Sequence, residues 1–509
     1  MRRGRSLTSD GIYREKIKYW EAKLWDLLKP IDMKSLVIMS WALEAIRSDR
    51  AEAAGRYLDF PEPVEDHKII GRYYIPPWSV DALLNEKLTM GDRGKSEKLL
   101  NLKVWRAVAK LMNTYSGLDN VDGQIDAEPD GIIAAMPRLF WPQYDWQLGF
   151  NNVTRLGRAW FVYGNSAGKL AFEEKYGIEL EVFLKVSFFI YGAVVFNPAV
   201  SLKALEGVGL IRDDIIKTIN IIGAPFDRQV QYAIDIRSDN IPRSFKRSIL
   251  KERPVCIDGK IYSERLYIPS RDMLLKRISD GLYYDIVHNP DARRASGEYF
   301  EKLCFKLLKH YSGKSDSVSE EKDTSYGKSA DLFWMNDRET SGVIVECKIR
   351  RLPHRVLTSP NPWKECQDDF DDVVKGVVQI WRTHHALFKD STDKIVGLVW
   401  QYESWTLMGN SFIRRLFSMA NTKADNLRIP ESSRIPVALV GHPDFETCLR
   451  LYDRETIIKG IELSMDDEFH GFMLHTIIEK FSEKKEHREG FDYSEVASES
   501  IGWWNDKLE

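Results

Sequence analysis

Apolar residues recur with helical period through most of the first half of the chain. Ile17, Trp20, Leu24 and Leu27 fall at i, i+3, i+7 and i+10, with Ser9 and Asp10 ahead as start signals and Pro30 behind as a stop. Residues 34–50, 104–115 and 179–195 repeat the pattern. The stretches between them, such as 60–66 and 117–129, are rich in Pro, Gly and Asp and read as loops. No fixed-period repeat is present, so a solenoid is not supported. From residue 297 the pattern changes. A helix at 297–311 carries the stripe Phe300, Cys304, Leu307 and Tyr311, and a polar stretch follows. Short apolar runs then predict strands at 331–335, 342–349, 394–400 and 435–440, with a long helix at 364–388 between the second and third. After residue 449 the chain returns to helix and ends in a charged tail.

The fold class read from this order is mixed α/β: a helical N-terminal domain and an αβ core with a mixed central sheet. The predicted divisions are 1–240 helical, 241–290 a basic connector, 291–450 the αβ core, and 451–509 a C-terminal helix and tail. Arg243, Lys246, Arg247, Lys251 and Arg253 give the connector its charge, and strand-like pieces occur at 254–257 and 265–268. Contact with phosphate and a solvated surface are its two readings.

Composition adds bounds rather than an identity. At 509 residues, two or three domains are the starting expectation. A hydrophobic content of 43% with 29% charged residues belongs to a globular chain, and a formal charge of -3 announces no nucleic-acid or membrane partner by bulk charge alone. Cys256, Cys304, Cys347, Cys366 and Cys448 are scattered, without a CxxC pair, which fits a reducing cytoplasm better than a disulfide framework. The basic start MRRGRSLTSD has no apolar segment behind it and is not read as a secretory signal. The longest apolar run, 186–196, is too short for a bilayer.

The chemistry concentrates in the segment GVIVECKI at 342–349. Strand side chains alternate, so Ile344, Glu346 and Lys348 share one face and Val343, Val345 and Cys347 the other. An acid and a base on an apolar strand need a partner or a task, because an unpaired buried charge is costly. A polar turn at 336–342 returns the strand antiparallel to the one starting at Asp331, bringing that carboxylate beside Glu346. Two carboxylates beside a lysine suit a hard divalent cation.

GEYFE at 297–301, SAD at 329–331, IVECK at 344–348 and Gln379 on the following helix together resemble the PD-(D/E)XK nuclease superfamily, which includes many restriction endonucleases. Ala330 stands where that family usually has proline, and the likeness covers roughly residues 290–445. It implies a restriction-endonuclease-like core in which Asp331, Glu346 and the Cys347 carbonyl ligate Mg2+ or Mn2+, completed by Glu301. Lys348 would orient or help deprotonate the attacking water, and Gln379 would tether a water or the substrate. Glu298 competes with Glu301 for its role, and Glu301 is favoured because it flanks the apolar stripe of its helix and so leans toward the sheet. The implied activity is endonucleolytic hydrolysis of nucleic acid, DNA ahead of RNA, in defence against foreign DNA or in repair. A homo-oligomer or a partner protein is compatible with it. The competing class is a silent nuclease fold that binds nucleic acid or protein.

Other motifs carry less. Acid-x-Lys also occurs at Asp32, Glu320 and Glu483, without strand context. GNSAG at 164–168 fits the nucleophile elbow G-x-S-x-G with Ser166 as nucleophile, and AWFVY before it could be a strand, but no oxyanion-hole loop accompanies it. GDRGKS at 91–96 is two residues short of a P-loop. The aromatic run at 139–150 reads as a buried cluster before it reads as a base-stacking surface. His384 and His385 receive no role, and the acidic run 368–372 reads as a helix N-terminal turn.

Overall fold

The computed structural model describes residues 9–48, 50–61, 73–91, 98–122, 154–236, 246–259, 265–325, 327–351, 367–389, 394–403 and 410–505. The aromatic run 139–150, residues 92–96 of the P-loop-like segment, Arg243 and Cys366 lie outside them. The chain is mixed α/β with a helical N-terminal region. Helices α1 (Ser9–Leu28), α2 (Met33–Arg47) and α3 (Trp105–Asp122) pack through Leu24, Leu28, Trp41, Leu111 and Tyr115. Asp32 starts α2 by accepting the Ser35 N–H at 3.2 Å. Residues 117–122, read from sequence as loop, continue α3. Gly117 is there for packing: a Cβ on it would lie 2.9 Å from the Trp20 ring of α1.

A small sheet follows, made of β1 (Ala199–Ser201), β2 (Gly223–Pro225), β3 (Val255–Ile257) and β4 (Arg265–Tyr267) in the order β1-β4-β3-β2. The 241–290 stretch therefore supplies two strands to a sheet begun at residue 199. Two of its basic side chains are used locally. Lys251 faces Asp81 at 3.7 Å, and Arg253 donates to the carbonyls of Asn220 and Gly223 at 2.8 and 3.1 Å.

The main core begins with helices α4 (Thr154–Tyr163) and α5 (Leu180–Ala193), gains α6 (Arg271–Ile278) and α7 (Pro290–Tyr311), and runs into the large sheet. That sheet joins β5 (Asp316–Glu320), β8 (Leu332–Asn336), β9 (Ser341–Lys348), β10 (Lys394–Gln401) and β11 (Val437–Gly441) in the order β11-β10-β9-β8-β5. Pairs β5–β8 and β8–β9 are antiparallel, while β9–β10 and β10–β11 are parallel. A short hairpin of β6 (Asp323–Thr324) and β7 (Gly327–Lys328) leads into β8. Sequence reading passed over β5 as a polar stretch. It is an edge strand with no fully buried residue, so it lacks the apolar alternation that marks a strand facing a core.

The alternation in β9 holds in three dimensions. Val343, Val345 and Cys347 join the main core with Leu332, Trp334 and α7. Ile344 faces the other way, against Phe333, Val399 and the Val374–Val377–Trp381 stripe of α8 (Asp371–Leu387), with α9 (Asn410–Asn426) beyond. Helices α10 (His442–Leu451) and α11 (Arg454–Leu463) cover the α7 side. The last helix, α12 (Tyr493–Ser500), folds back on α4, where a Cβ at Gly157 would lie 2.4 Å from the Tyr493 carbonyl oxygen. One cluster of buried apolar residues takes members from Leu156 to Ile501, and a second gathers Leu24 to Leu118 with a few residues from 233 to 273. Among the described residues no helix is long and apolar enough to cross a membrane.

Candidate active site

The antiparallel register pairs Leu332 with Val345, so Asp331, one step earlier, arrives opposite Glu346. The Asp331 carboxylate accepts the Cys347 N–H at 2.7 Å, which fixes it across the ends of β8 and β9. Two residues on from Glu346, Lys348 places its ammonium 2.5 Å from the Glu346 Oε1. The other oxygen, Glu346 Oε2, is buried with no hydrogen-bond partner. Glu301 approaches from α7. One turn later in that helix, Cys304 is buried in the same apolar cluster as Cys347, where α7 packs against β9. Glu298 instead points outward, exposed and 3.9 Å from Arg294.

Helix α8 covers the same strand end from the opposite face. The contact is tight at Gly376, where a Cβ would sit 3.3 Å from the Lys348 Cε and 3.4 Å from the Glu346 Cγ. Gln379 lies one turn further on, with its amide nitrogen donating to the carbonyls of Lys328 and Ser329 at 2.7 and 2.8 Å. Its oxygen accepts from Arg382 at 2.5 Å. The side chain is thus committed to the backbone that leads into Asp331 and not to the carboxylates.

Burial and mutual charge shift every acid in this corner. Burial, then the neighbouring Asp331 and Glu346, pushes the Glu301 carboxyl up to about 8. Burial raises Glu346 to about 7, with Asp331 adding to the shift and Lys348 opposing it. Asp331 is raised as well, chiefly by burial. Burial pulls the Lys348 ammonium down, but Glu346 and Asp331 together hold it above its ordinary value. These carboxyl groups raise one another's affinity for protons in a desolvated corner, and one of them has an orphan oxygen. Among the described residues, no group of three or more His, Cys, Asp or Glu side chains is arranged so that it could hold a metal ion.

The other motifs resolve into packing. AWFVY lies in α4, a helix and not a strand, and Ser166 opens the next helix, Ser166–Tyr176, exposed behind an Asn165 cap. The glycines of that motif are needed because a Cβ at Gly164 or Gly168 would lie 2.4 or 2.1 Å from a carbonyl oxygen of α4. His384 is buried against Phe388, and His385 meets Ser433 at 3.0 Å. In the acidic run, Asp371 and Asp372 pair with Lys375, Lys423 and Arg350. Sequence reading missed Gly376 and Thr383. Thr383 lies four residues after Gln379, so the helical period could have found it. Gly376 carries no chemistry for a motif search to catch.

Compared with protein-family models, curated proteins and solved structures, the chain matches none.

Proposed function

We propose that this chain is a metal-dependent nuclease that hydrolyses DNA phosphodiester bonds, with Asp331, Glu346 and Glu301 holding Mg2+ or Mn2+. The observation that carries the reading is the meeting of Asp331, Glu346 and Lys348 at the end of β9, with Glu346 Oε2 buried and unpartnered and Glu301 near enough to feel their charges. A divalent cation bound there supplies positive charge against the phosphate oxygens and brings the three carboxyl groups back to their ionised form. Lys348, free to turn from Glu346 once that carboxylate has another partner, donates hydrogen bonds to a phosphate oxygen and orients an attacking water. Glu301 would complete the cation's donor set, directly or through a water, and Lys348 would help deprotonate the attacking water. The apolar layers on both faces of β9 limit solvent around these groups and so strengthen each interaction.

The test is cleavage of plasmid and single-stranded DNA with Mg2+, Mn2+ or EDTA, wild type against Lys348→Ala. Cutting that needs the cation and drops by about 100-fold or more in the variant supports the reading. A folded wild type that cuts neither substrate with either cation removes it. A second reading, a silent nuclease-fold module that binds nucleic acid or protein, draws on Lys348 being tied to Glu346 and Asp331 to a backbone N–H. It predicts DNA retention with no cutting and no uptake of Mg2+.

A further inference from the structure

The three residues before Asp331 are tied down one by one, and most of the ties come from a single stripe of α8. The Lys328 carbonyl accepts from Gln379 at 2.7 Å and from Arg382 at 3.3 Å. The Ser329 carbonyl accepts from the same Gln379 nitrogen at 2.8 Å. Ser329 is also locked to Lys322 in both directions, its N–H donating to the Lys322 carbonyl at 2.9 Å and its hydroxyl accepting the Lys322 N–H at 2.8 Å. The Ala330 N–H, fully buried, donates to Thr383 Oγ1 at 2.8 Å. Residues 379, 382 and 383 occupy adjacent places on α8, and Arg382 fixes which way the Gln379 amide points by donating to its oxygen at 2.5 Å.

Packing alone does not call for these residue types. The apolar face of α8 is made of Val374, Val377, Val378 and Trp381, and a valine would fill the volume of Thr383. A buried hydroxyl is costly unless used, and this one serves as the acceptor for a backbone donor. Asp331 itself stands just ahead of β8, outside the ladder, so its position depends on the segment leading into it as well as on the Cys347 N–H that its carboxylate accepts. A carboxylate meant to meet a second one must be held to within about half an ångström, and hydrogen bonds behind it give that precision.

We propose that Thr383, with Gln379 and Arg382, forms a backbone clamp that positions Asp331 for the divalent cation. These are positioning residues, acting through the peptide groups of 328–330. The proposal rests on the reading of Asp331 as a cation ligand.

The experiment is calorimetric titration of the full chain with Mg2+ alone, joined to cleavage rates across a Mg2+ series. Thr383→Val keeps the side-chain shape and removes the acceptor; its affinity for Mg2+ should fall about 10-fold. Its cleavage rate should recover as Mg2+ is raised, which a loss of folded protein would not do. Thr383→Ser should restore both. Val378→Ala, on the buried face of the same helix, should lower the melting temperature and leave Mg2+ affinity unchanged. If Thr383→Val binds Mg2+ as wild type does, while wild type binds and cuts, the clamp is overturned and the nuclease reading stands. If wild type takes up no Mg2+ and cuts nothing, the cation role of Asp331 falls and the clamp falls with it.

Discussion

At the scale of a residue, the burial of Glu346 ties the stability of the fold to pH. Its carboxyl titrates near 7 in the folded chain, above the ordinary value of about 4.3 for an unfolded one. The folded state therefore binds the proton more tightly, and stability is lost as pH rises from the unfolded value through the folded one. Without divalent cation, the melting temperature should fall between about pH 5 and pH 8. Glu346→Gln should flatten that fall, raise the melting temperature at pH 8 and remove any stabilisation by Mg2+. Thermal melts over a pH series with and without Mg2+ measure all three. A wild-type curve that rises over that range would contradict the assignment. The residue was legible from sequence because an acid on an apolar strand is unusual. Its orphan oxygen was not, because burial of one carboxylate atom depends on α7 and α8 closing over the strand end.

Among elements, the contact of α8 with the sheet decides whether the site exists. The contact is tight at two glycines: Gly376 over Glu346 and Lys348, and Gly397 in β10, where a Cβ would lie 2.6 Å from the Ile380 Cγ2 and 2.8 Å from the Val437 Cγ2. Gly397→Ala should therefore overpack this interface and cost about 1–3 kcal/mol, measured by denaturant titration, in contrast to the mild gain alanine gives in an open position. The strands and α8 could be read from their periods. The hairpin turn between β8 and β9 was also readable, and with it the meeting of Asp331 and Glu346. Edge strand β5 was invisible because solvent on its surface removes the signal that burial imposes on sequence. Gly117 misled in the opposite direction: read as a loop breaker, it is the notch in α3 that admits Trp20.

At the scale of the whole molecule, the helical region and the sheet are joined by a buried charge cluster centred on Asp280. Arg155 and Arg158 reach it from α4, Arg351 from just beyond β9, and Tyr402 donates to it at 3.1 Å. Burial alone would raise the Asp280 carboxyl, but Arg155, Arg351 and Arg158 hold it well below the usual carboxylate range. A depressed folded value means the stabilisation is present above the unfolded value, about 3.9, and is lost as pH falls toward the folded one. Asp280→Asn should destabilise the chain at pH 7 by about 3–5 kcal/mol, since it strands arginines in the core. It should also remove part of the steepening of acid unfolding below about pH 4. Equilibrium unfolding at pH 7 and pH 4 tests both. Arg351 follows Lys348 by three residues, so this cluster also anchors the strand end that carries the candidate site.

By itself the sequence determined the local periods, and from them the helical region, the four principal strands of the large sheet, the two faces of β9 and the acids and lysine at its end. These are set by how each residue's neighbours within a few positions must be buried or exposed. Tertiary structure alone decided the rest: the hydrogen bonds of Gln379 to the backbone ahead of Asp331, the close contacts at Gly376 and Gly397, and the return of α12 to α4. Those depend on which distant surfaces touch, and contact at long sequence separation leaves no periodic mark on the chain.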